Sequence, residues 1–323
     1  MVKKAGYKVI IAAVIAAVLF IVFAFCRFEK YAEKKVFIVQ RGESASLVAA
    51  RLQNEKLICS RKLFLAYVKF THSADKIKAG YYEFTGKDGM FKILDELKFG
   101  SKSLIKFTVP EGSNIEQTAE IIASKKTVDK DKFIRIAAEK RMEGYLMPET
   151  YFIDPLMSEE DIISAMKKEF ANKVTADMYE RAGELNMTIE QIITLASIIE
   201  KEAVEPQERA AIAAVFHNRL KKKIRLESCA TVLYALGVNK ARLTLEDTHF
   251  DSPYNTYRHL GLPPGPICSP GIESIKAALY PENSSSLFFV SKGNGRHLFA
   301  ESLEEHVKNK RETKKIIKNQ RTD

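Results

Sequence analysis

The sequence contains no tryptophan, and its 323 residues include only four cysteines, Cys26, Cys59, Cys229 and Cys268. They lie far apart without a Cys-x-x-Cys pair, which excludes a disulfide-rich scaffold and argues against a structural zinc site. The six histidines lack metal-ligand spacing, and no P-loop, dinucleotide-binding or His-Glu-x-x-His motif occurs. We therefore expect neither a metal nor a cofactor. With 46% apolar and 28% charged residues, the composition is that of a globular protein of about two domains.

Positive charge is concentrated at the ends of the chain, which carries a net charge of +10. Residues 1–8 contain three lysines, and residues 306–323 contain seven lysines and arginines against two acidic residues. Nucleic-acid binding needs clustered positive charge on the folded part, so we expect no nucleic-acid partner. The basic tail, residues 312–323, is typical of a helix end that is solvated or lies at a membrane surface.

Residues 9–26 form an uncharged apolar run, VIIAAVIAAVLFIVFAFC, between Lys8 and Arg27. A helix of this length would measure about 27 Å, close to the hydrocarbon thickness of a bilayer. A cleaved signal peptide is the main alternative, but its apolar region is usually shorter and ends in small residues. We predict a single-pass anchor in the inner (cytoplasmic) membrane. The flanking charges do not decide its orientation, but the short stub, residues 1–8, favours a cytoplasmic amino terminus with the rest of the chain outside the cytoplasm.

A short pattern occurs twice, at an offset of 70 residues. In each copy an alternating Phe-x-Val segment meets a glycine turn, and an N-cap residue, Ser44 or Asn114, begins an amphipathic helix predicted over 47–52 or 115–122. The alternative is two common strand–turn–helix units without a shared origin. The first copy resembles the LysM family of glycan-binding modules in its Gly-Glu-Ser turn and in the aromatic strand at 79–84. We therefore predict a LysM-like module over residues 36–100, in which Tyr81 and Phe84 stack on sugars or belong to the core.

The most informative helix is predicted from Thr188 to Ala203. Thr188 and Gln191 form a capping box, and the apolar residues fall on a stripe whose centre includes Glu200. A carboxylate on such a stripe is costly unless it is paired, hydrogen-bonded or protonated. Burial also raises the proton affinity of a carboxylate, which suits a general acid. The alternative is a glutamate at a frayed helix end that reaches water or pairs with Arg209.

Glycosidic cleavage usually needs two carboxylates. The acidic residues near Glu200 in sequence are not forced onto its face by spacing; they are Glu202, Glu205, Glu208, Glu227 and Asp251. A mechanism with one carboxylate remains open if the substrate supplies its own nucleophile. Downstream, two proline- and glycine-rich stretches at 252–257 and 261–267 are typical of ordered loops that build binding walls. Their polar and aromatic side chains either bind sugar groups or support the loop.

At these residues the sequence resembles the YceG-like family, the MltG-type endolytic murein transglycosylases. The matching stretches occur in family order over most of residues 140–300; they are EGYLMPETY at 143–151, LASIIEKEA at 195–203, VFHNRL at 215–220, ATVLY at 230–234, SPYNTY at 252–257, GLPPGPI at 261–267 and SPGIESIKAA at 269–278. One departure is Glu227-Ser228-Cys229-Ala230, where members often carry Gln before a Ser/Thr-Asp-Pro stretch, which puts a role for this stretch in doubt. The anchor and the LysM-like segment also fit the family.

The resemblance implies an endolytic lytic transglycosylase that cleaves the MurNAc–GlcNAc bond of nascent peptidoglycan strands and leaves 1,6-anhydroMurNAc ends. It implies that Glu200 is the sole acid/base. The implied partners are peptidoglycan glycan strands, the inner membrane and peptidoglycan synthases. As substrate-binding residues we predict Ser252, Tyr254, Asn255, Tyr257, Asn218 and Glu202.

The predicted fold is α+β: a transmembrane helix, a LysM-like small α/β module and a mixed α+β catalytic domain over residues 101–311. Two other functions remain open. One is a membrane-tethered glycan-binding scaffold without catalysis. The other is a hydrolase that uses water, with Glu202 or Asp251 as the partner of Glu200.

Overall fold

The structure, a computed structural model, describes residues 35–40, 42–85, 88–100, 104–125, 128–238, 240 and 243–319. The predicted stub and anchor, residues 1–8 and 9–26, lie outside these ranges. Across the described ranges, no helix combines the length and apolar character needed to cross a membrane. The chain divides into two compact units, Met1–Ile105 with Ile153–Leu156, and Lys106–Phe152 with Met157–Asp323.

In the described part of the first unit, two helices lie between two strands along the chain, and a third helix follows the second strand. Its elements are strand β1 (Lys35–Val39), helix α1 (Ala45–Asn54), helix α2 (Arg61–Phe70), a 3-10 turn (Ala74–Lys76), strand β2 (Gly80–Phe84) and helix α3 (Met90–Phe99). β1 and β2 pair antiparallel, with Phe37 opposite Tyr82. Ser44 caps α1 by accepting a hydrogen bond from the N–H of Leu47 at 3.3 Å, which confirms the predicted N-cap.

Alternation along β2 decides which of its aromatic side chains enter the core of the first unit. Tyr82 and Phe84 are buried, whereas Tyr81 on the opposite face is half-buried. Because successive strand residues point to opposite faces, Phe84 belongs to the core together with Phe37 and Phe64. Of the two aromatic residues considered for sugar stacking, Phe84 is therefore structural. The LysM-like nature of this unit stays a prediction.

The second unit is mainly helical and also contains two small sheets of two strands each. The elements from residue 105 onward belong to this unit except for Ile105 and Ile153. They are β3 (Ile105–Thr108), α4 (Ile115–Ala123), α5 (Lys130–Glu139), β4 (Thr150–Ile153), α6 (Glu159–Lys173), α7 (Ala176–Glu184), α8 (Ile189–Glu202), α9 (Arg209–Lys221), α10 (Cys229–Leu236), α11 (Ile272–Leu279), β5 (Phe288–Ser291), β6 (His297–Ala300) and α12 (Leu303–Asn319). β3 pairs with β4, and β5 pairs with β6. The described chain is thus a mixed α+β protein, as predicted.

The two copies of the repeated pattern have the same local structure. Gly42 and Gly112 both adopt the left-handed backbone conformation, with φ of 79° and 76°, which a glycine tolerates without steric cost. Asn114 caps α4 as Ser44 caps α1, accepting a hydrogen bond from the N–H of Gln117 at 2.8 Å. The predicted turn and helix start are therefore confirmed in both copies.

Helix α8 forms the centre of the core of the second unit. Its capping box is present: the N–H of Thr188 donates to Gln191 at 2.8 Å, and that of Gln191 donates to Thr188 at 3.3 Å. Every residue from Ile192 to Ile199 is buried, and the helix packs against α9 and α11. The predicted buried helix is confirmed, and its apolar surroundings fix the position of its last turn.

Candidate active site

Glu200 lies in the last turn of α8, at the edge of the core. Its side chain is only 7% exposed. Oε2 accepts a hydrogen bond from the backbone N–H of Gly271 at 2.9 Å, and Oε1 lies 3.5 Å from Nη2 of Arg209. The carboxylate is thus covered and also paired, which are the conditions under which a charged group is stable against apolar surface. Burial and pairing with Arg209, which the sequence presented as alternatives, occur together.

Two segments distant in sequence close over the end of α8. The hydroxyl of Ser197 accepts a hydrogen bond from the N–H of Ile267 at 3.0 Å, which attaches the proline- and glycine-rich stretch to the helix. The N–H of Gly112 donates to the carbonyl of Ser269 at 2.9 Å. Nζ of Lys201 donates to the carbonyl of Gly112 at 3.1 Å. These contacts hold the backbone on two sides of Glu200 in a defined position.

A second carboxylate faces the same guanidinium group. Oε2 of Glu111 lies 3.7 Å from Nη2 of Arg209, the nitrogen that also contacts Glu200. Burial first, and then the negative charge of Glu200, raise the pKa of Glu111, while Arg209 acts in the opposite direction. The Glu111 side chain is 47% exposed, so it faces solvent where Glu200 is covered. The structure therefore contains two carboxyl groups at this position, one of them missed by the sequence analysis.

Glu202, predicted to bind substrate, is instead held at the start of α10. Its Oε1 accepts a hydrogen bond from the hydroxyl of Ser228 at 2.6 Å, and the backbone N–H of Ala230 also donates to the carboxylate. Burial raises the pKa of Glu202, and these donors lower it. Residues 227–230, which depart from the family pattern, thus stabilise a buried carboxylate by donating hydrogen bonds to it at a helix amino terminus. Substrate binding by Glu202 stays a prediction.

The SPYNTY stretch is a loop that is held together by its own polar groups. Asn255 is fully buried, and its amide donates both hydrogens, to the carbonyls of Thr248 at 3.0 Å and Phe250 at 2.8 Å. The hydroxyl of Ser252 accepts from the N–H of Tyr254 at 3.2 Å. In this conformation Asn255 uses both amide hydrogens within this segment, and sugar binding by Asn255 stays a prediction. Sugar binding by Ser252 and Tyr254 stays a prediction.

Asn218 and Tyr257, the two other predicted binding residues, also make structural contacts. The amide of Asn218 donates to the carbonyls of Ser284 at 2.7 Å and Ser286 at 3.0 Å, which attaches the segment before β5 to α9. The hydroxyl of Tyr257 lies 3.2 Å from Sγ of Cys229. Burial, followed by its hydrogen bond to Cys229, raises the pKa of Tyr257. Neither side chain has a hydrogen bond to Glu200 among the described residues.

A further buried carboxyl group lies at the start of α4. Oε2 of Glu143 accepts hydrogen bonds from the hydroxyl of Tyr234 at 3.2 Å and from the N–H of Ile115 at 3.4 Å. Oε1 of Glu143 is buried without a hydrogen-bond partner. Burial raises the pKa of Glu143 to about 7, although these donors lower it. The ring of Tyr254 packs on that of Tyr234, with centroids 5.0 Å apart, and links this group to the SPYNTY loop.

Other features of the described residues lie away from Glu200. No three or more His, Cys, Asp or Glu side chains in the described ranges are arranged to hold a metal ion. Two open concavities occur, one at the start of α12 around Leu303 and Arg311, and one in the first unit around Gln40 and Arg51. Glu111, Glu200 and Arg209 are not among the residues that line these two concavities.

Comparison with known proteins shows the family. The model of the YceG-like family matches residues 37–312, most of the chain. The chain belongs to the YceG-like family. The resemblance seen in its motifs is thereby confirmed.

Named relatives of this YceG-like chain come from several bacteria. An endolytic murein transglycosylase of Bacillus subtilis (strain 168) is 38% identical over 84% of this chain and 82% of its own length. An endolytic murein transglycosylase of Streptococcus pneumoniae is 29% identical over 84% of this chain, which spans only 57% of that longer protein. The chain also matches the crystal structure of a YceG-like protein from Listeria monocytogenes, with 35% sequence identity and a TM-score of 0.58. The match covers 85% of this chain and 98% of the Listeria chain.

In this YceG-like chain the sequence pattern identified one residue of the carboxylate pair and missed the other. Glu200 was found because it interrupts an apolar helical stripe. Glu111 follows a proline in a loop, where a carboxylate is ordinary, and it lies far from Glu200 in sequence. The only available signal was its place in the repeated pattern, directly before Gly112.

Proposed function

We propose that this YceG-like chain is a lytic transglycosylase that cleaves the MurNAc–GlcNAc bond within nascent peptidoglycan strands and leaves 1,6-anhydroMurNAc ends. The observation that carries the proposal is Glu200, a covered carboxyl group fixed by the Gly271 amide on one oxygen and facing Arg209 with the other. The shared name of the relatives, endolytic murein transglycosylase, bears out the predicted enzyme class. Peptidoglycan as the substrate is consistent with that name.

Glu200 acts as the acid and then as the base. In the first step, its proton moves to the oxygen of the glycosidic bond as that bond breaks, and the sugar gains oxocarbenium character. In the second, ionised Glu200 takes the proton of the MurNAc C6 hydroxyl, whose oxygen bonds to C1. Glu200 recovers its proton and no water is consumed. Because the attacking C6 hydroxyl and the C1 carbon that it attacks belong to the same sugar, proximity supplies much of the rate advantage.

The surroundings of Glu200 suit both protonation states. The Gly271 N–H fixes the orientation of the carboxyl group through Oε2. Arg209 stabilises the carboxylate that forms when the proton leaves. At 3.5 Å its contact with Oε1 is longer than an ordinary charge-assisted hydrogen bond, so protonation of Glu200 breaks no short ion pair. A group with this environment can give and recover a proton within one catalytic cycle.

We further propose that residues 9–26 anchor the enzyme in the cytoplasmic membrane, with the unit that carries Glu200 on the outer side. Support comes from the uncharged run and its charged flanks. An anchored position would place Glu200 beside newly polymerised strands and the synthases that make them. Labelling of single engineered cysteines by a membrane-impermeant thiol reagent tests this orientation.

Glu200→Gln is the decisive variant, because it nearly preserves shape and removes the transferable proton. With uncrosslinked glycan strands as substrate, we expect the full-length variant to lose activity by about 10²–10⁴-fold, the usual contribution of general acid–base catalysis. Glu190→Gln, an exposed position in the first turn of the same helix, is the matched control and should retain activity. Mass spectrometry of the products measures 1,6-anhydro ends. Undiminished anhydro products from Glu200→Gln would overturn the assignment.

A hydrolase that uses water is the second candidate, and Glu111 is the observation that favours it. A second carboxylate near the acid is what activates water or forms a glycosyl intermediate in hydrolytic glycosidases. The same mass spectrometry separates the two reactions, since hydrolysis leaves reducing ends and transglycosylation leaves anhydro ends. Binding of strands without any cleavage by the wild-type chain would instead favour the scaffold.

A further inference from the structure

Glu111 and Glu200 lie on one guanidinium group, although the proposed reaction uses only one carboxyl group. We propose that Glu111 is a positioning residue for Glu200: through their shared contact with Arg209, it keeps a proton available at the catalytic site. This inference rests on the proposed function and adds a residue to it.

The charges around Arg209 are the first argument. One nitrogen, Nη2, lies 3.5 Å from Glu200 and 3.7 Å from Glu111, and Nε donates to the hydroxyl of Ser274 at 3.0 Å. A single positive charge cannot neutralise two carboxylates. When two carboxyl groups share a site, ionisation of one makes the other hold its proton more strongly, and the pair titrates as a unit. Simultaneous ionisation of both carboxyl groups is therefore unfavourable at this position, and burial followed by the charge of Glu200 raises the pKa of Glu111.

Two glycines, Gly271 and Gly112, also link the two carboxyl groups, because each glycine packs against one of them. Gly271, whose N–H holds Glu200, lies so close to Glu111 that a Cβ at this position would overlap the Glu111 carboxylate. Gly112, which follows Glu111, faces Glu200, and a Cβ there would lie 3.6 Å from Cγ of Glu200. Each carboxyl group thus packs on the backbone that positions the other. This arrangement places the Glu111 carboxylate next to the backbone that binds Glu200.

The remaining charged and titratable groups around the pair come from four other positions. Lys201 on α8 points its ammonium group at the Gly112 carbonyl. Lys173 on α6 and Glu273 on α11 act on Glu111 with opposite signs, and Lys173 is also paired with Glu149. The Cys268 thiol, buried beside α8, is kept protonated by burial, which raises its pKa. Arg209 contacts both carboxyl groups through the same nitrogen.

The test is the pH dependence of kcat/KM for strand cleavage by the full-length chain. In Glu111→Gln the site loses the charge that retains the proton, so the alkaline limb should move to lower pH by about one unit, within the range for neighbouring charges. We expect activity about tenfold below wild type at pH 8 and close to wild type at pH 5.5. Glu111→Asp, which keeps the charge, should recover part of the activity at pH 8. A merely structural role would lower the whole profile without moving its limb.

Gly271→Ala tests the same idea without changing a charged residue. The added methyl group displaces the flexible end of Glu111 and preserves the N–H that holds Glu200. It should shift the limb in the same direction, and the double variant with Glu111→Gln should shift it no further. Glu184→Gln, which removes an exposed carboxylate on α7 that pairs with Arg181, is the control and should change activity less than about twofold.

A profile for Glu111→Gln that is parallel to wild type, whether lowered or not, would overturn the inference. That result would leave the proposed function intact if wild type still forms anhydro ends and Glu200→Gln does not. Absence of cleavage by the wild-type chain would instead remove the proposed function, and the inference with it.

Discussion

Replacing Glu143 by glutamine should make the protein more stable at alkaline pH. The carboxyl group of Glu143 is covered, with one oxygen bonded to Tyr234 and Ile115 and the other without a partner. Burial raises its pKa from the ordinary 4.5 to about 7. At about 1.4 kcal/mol per pH unit, this difference corresponds to about 3 kcal/mol between the protonated and ionised forms of the folded protein.

The sign of this effect follows from the direction of the shift. Below pH 4.5 the carboxyl group is protonated in both folded and unfolded chains, and its burial costs no ionisation energy. As pH rises through the range from 4.5 to about 7, the unfolded chain ionises first, so the free energy of unfolding decreases. Above about 7 the folded protein carries the full penalty. Glutamine imitates the protonated acid and removes this pH dependence.

The free energy of unfolding is measured by urea denaturation at pH 5 and pH 8. We expect Glu143→Gln to increase it by up to about 3 kcal/mol at pH 8 and by about 1 kcal/mol or less at pH 5. Glu180→Gln, at an exposed position of α7, is the matched control, because it removes no buried charge. An equal change at both pH values, or a loss of stability that grows with pH, would refute the reasoning.

Two further predictions concern packing next to the site. Gly144→Ala should destabilise the protein by at least about 2 kcal/mol, because the new Cβ would lie 2.5 Å from the Pro266 ring and the backbone has φ of 83°; Gly183→Ala, with open space around its Cβ, should be neutral or slightly stabilising by the same thermal-unfolding measurement. Ser228→Ala should cost about 1–3 kcal/mol by removing the hydroxyl donor to Glu202. Urea denaturation at a single pH measures this cost, and a variant as stable as the wild type would contradict this account.

The sequence predicted the structural features that depend only on residues close together in the chain. The capping box of α8, the N-caps at Ser44 and Asn114 and the glycine turns depend on residues within four positions of one another, and each is present in the structure. The apolar stripe of α8 follows from helical periodicity, so the covered position of Glu200 was also predictable.

The hydrogen-bond partners of Asn218, in α9, and of Asn255, in the SPYNTY loop, were harder to predict. Asn218 and Asn255 have the hydrogen-bonding groups that sugar recognition needs, and this is all that the sequence reveals. In the structure both amides donate to backbone carbonyls, some of them more than 60 residues away along the chain. A side chain's capacity for hydrogen bonds is a local property, whereas its choice of partner depends on the whole fold.

By itself, then, the sequence determined the helix that carries Glu200, the glycine turns of the repeated pattern and the family to which the motifs belong. Only the tertiary structure decided that Glu111, Arg209 and Gly271 meet at that helix end. Their meeting depends on contacts between segments far apart in the chain, and no periodicity or spacing encodes such contacts. The physical reason is that long-range neighbours are selected by the packing of the whole core, while helices, caps and turns are selected by a few adjacent residues.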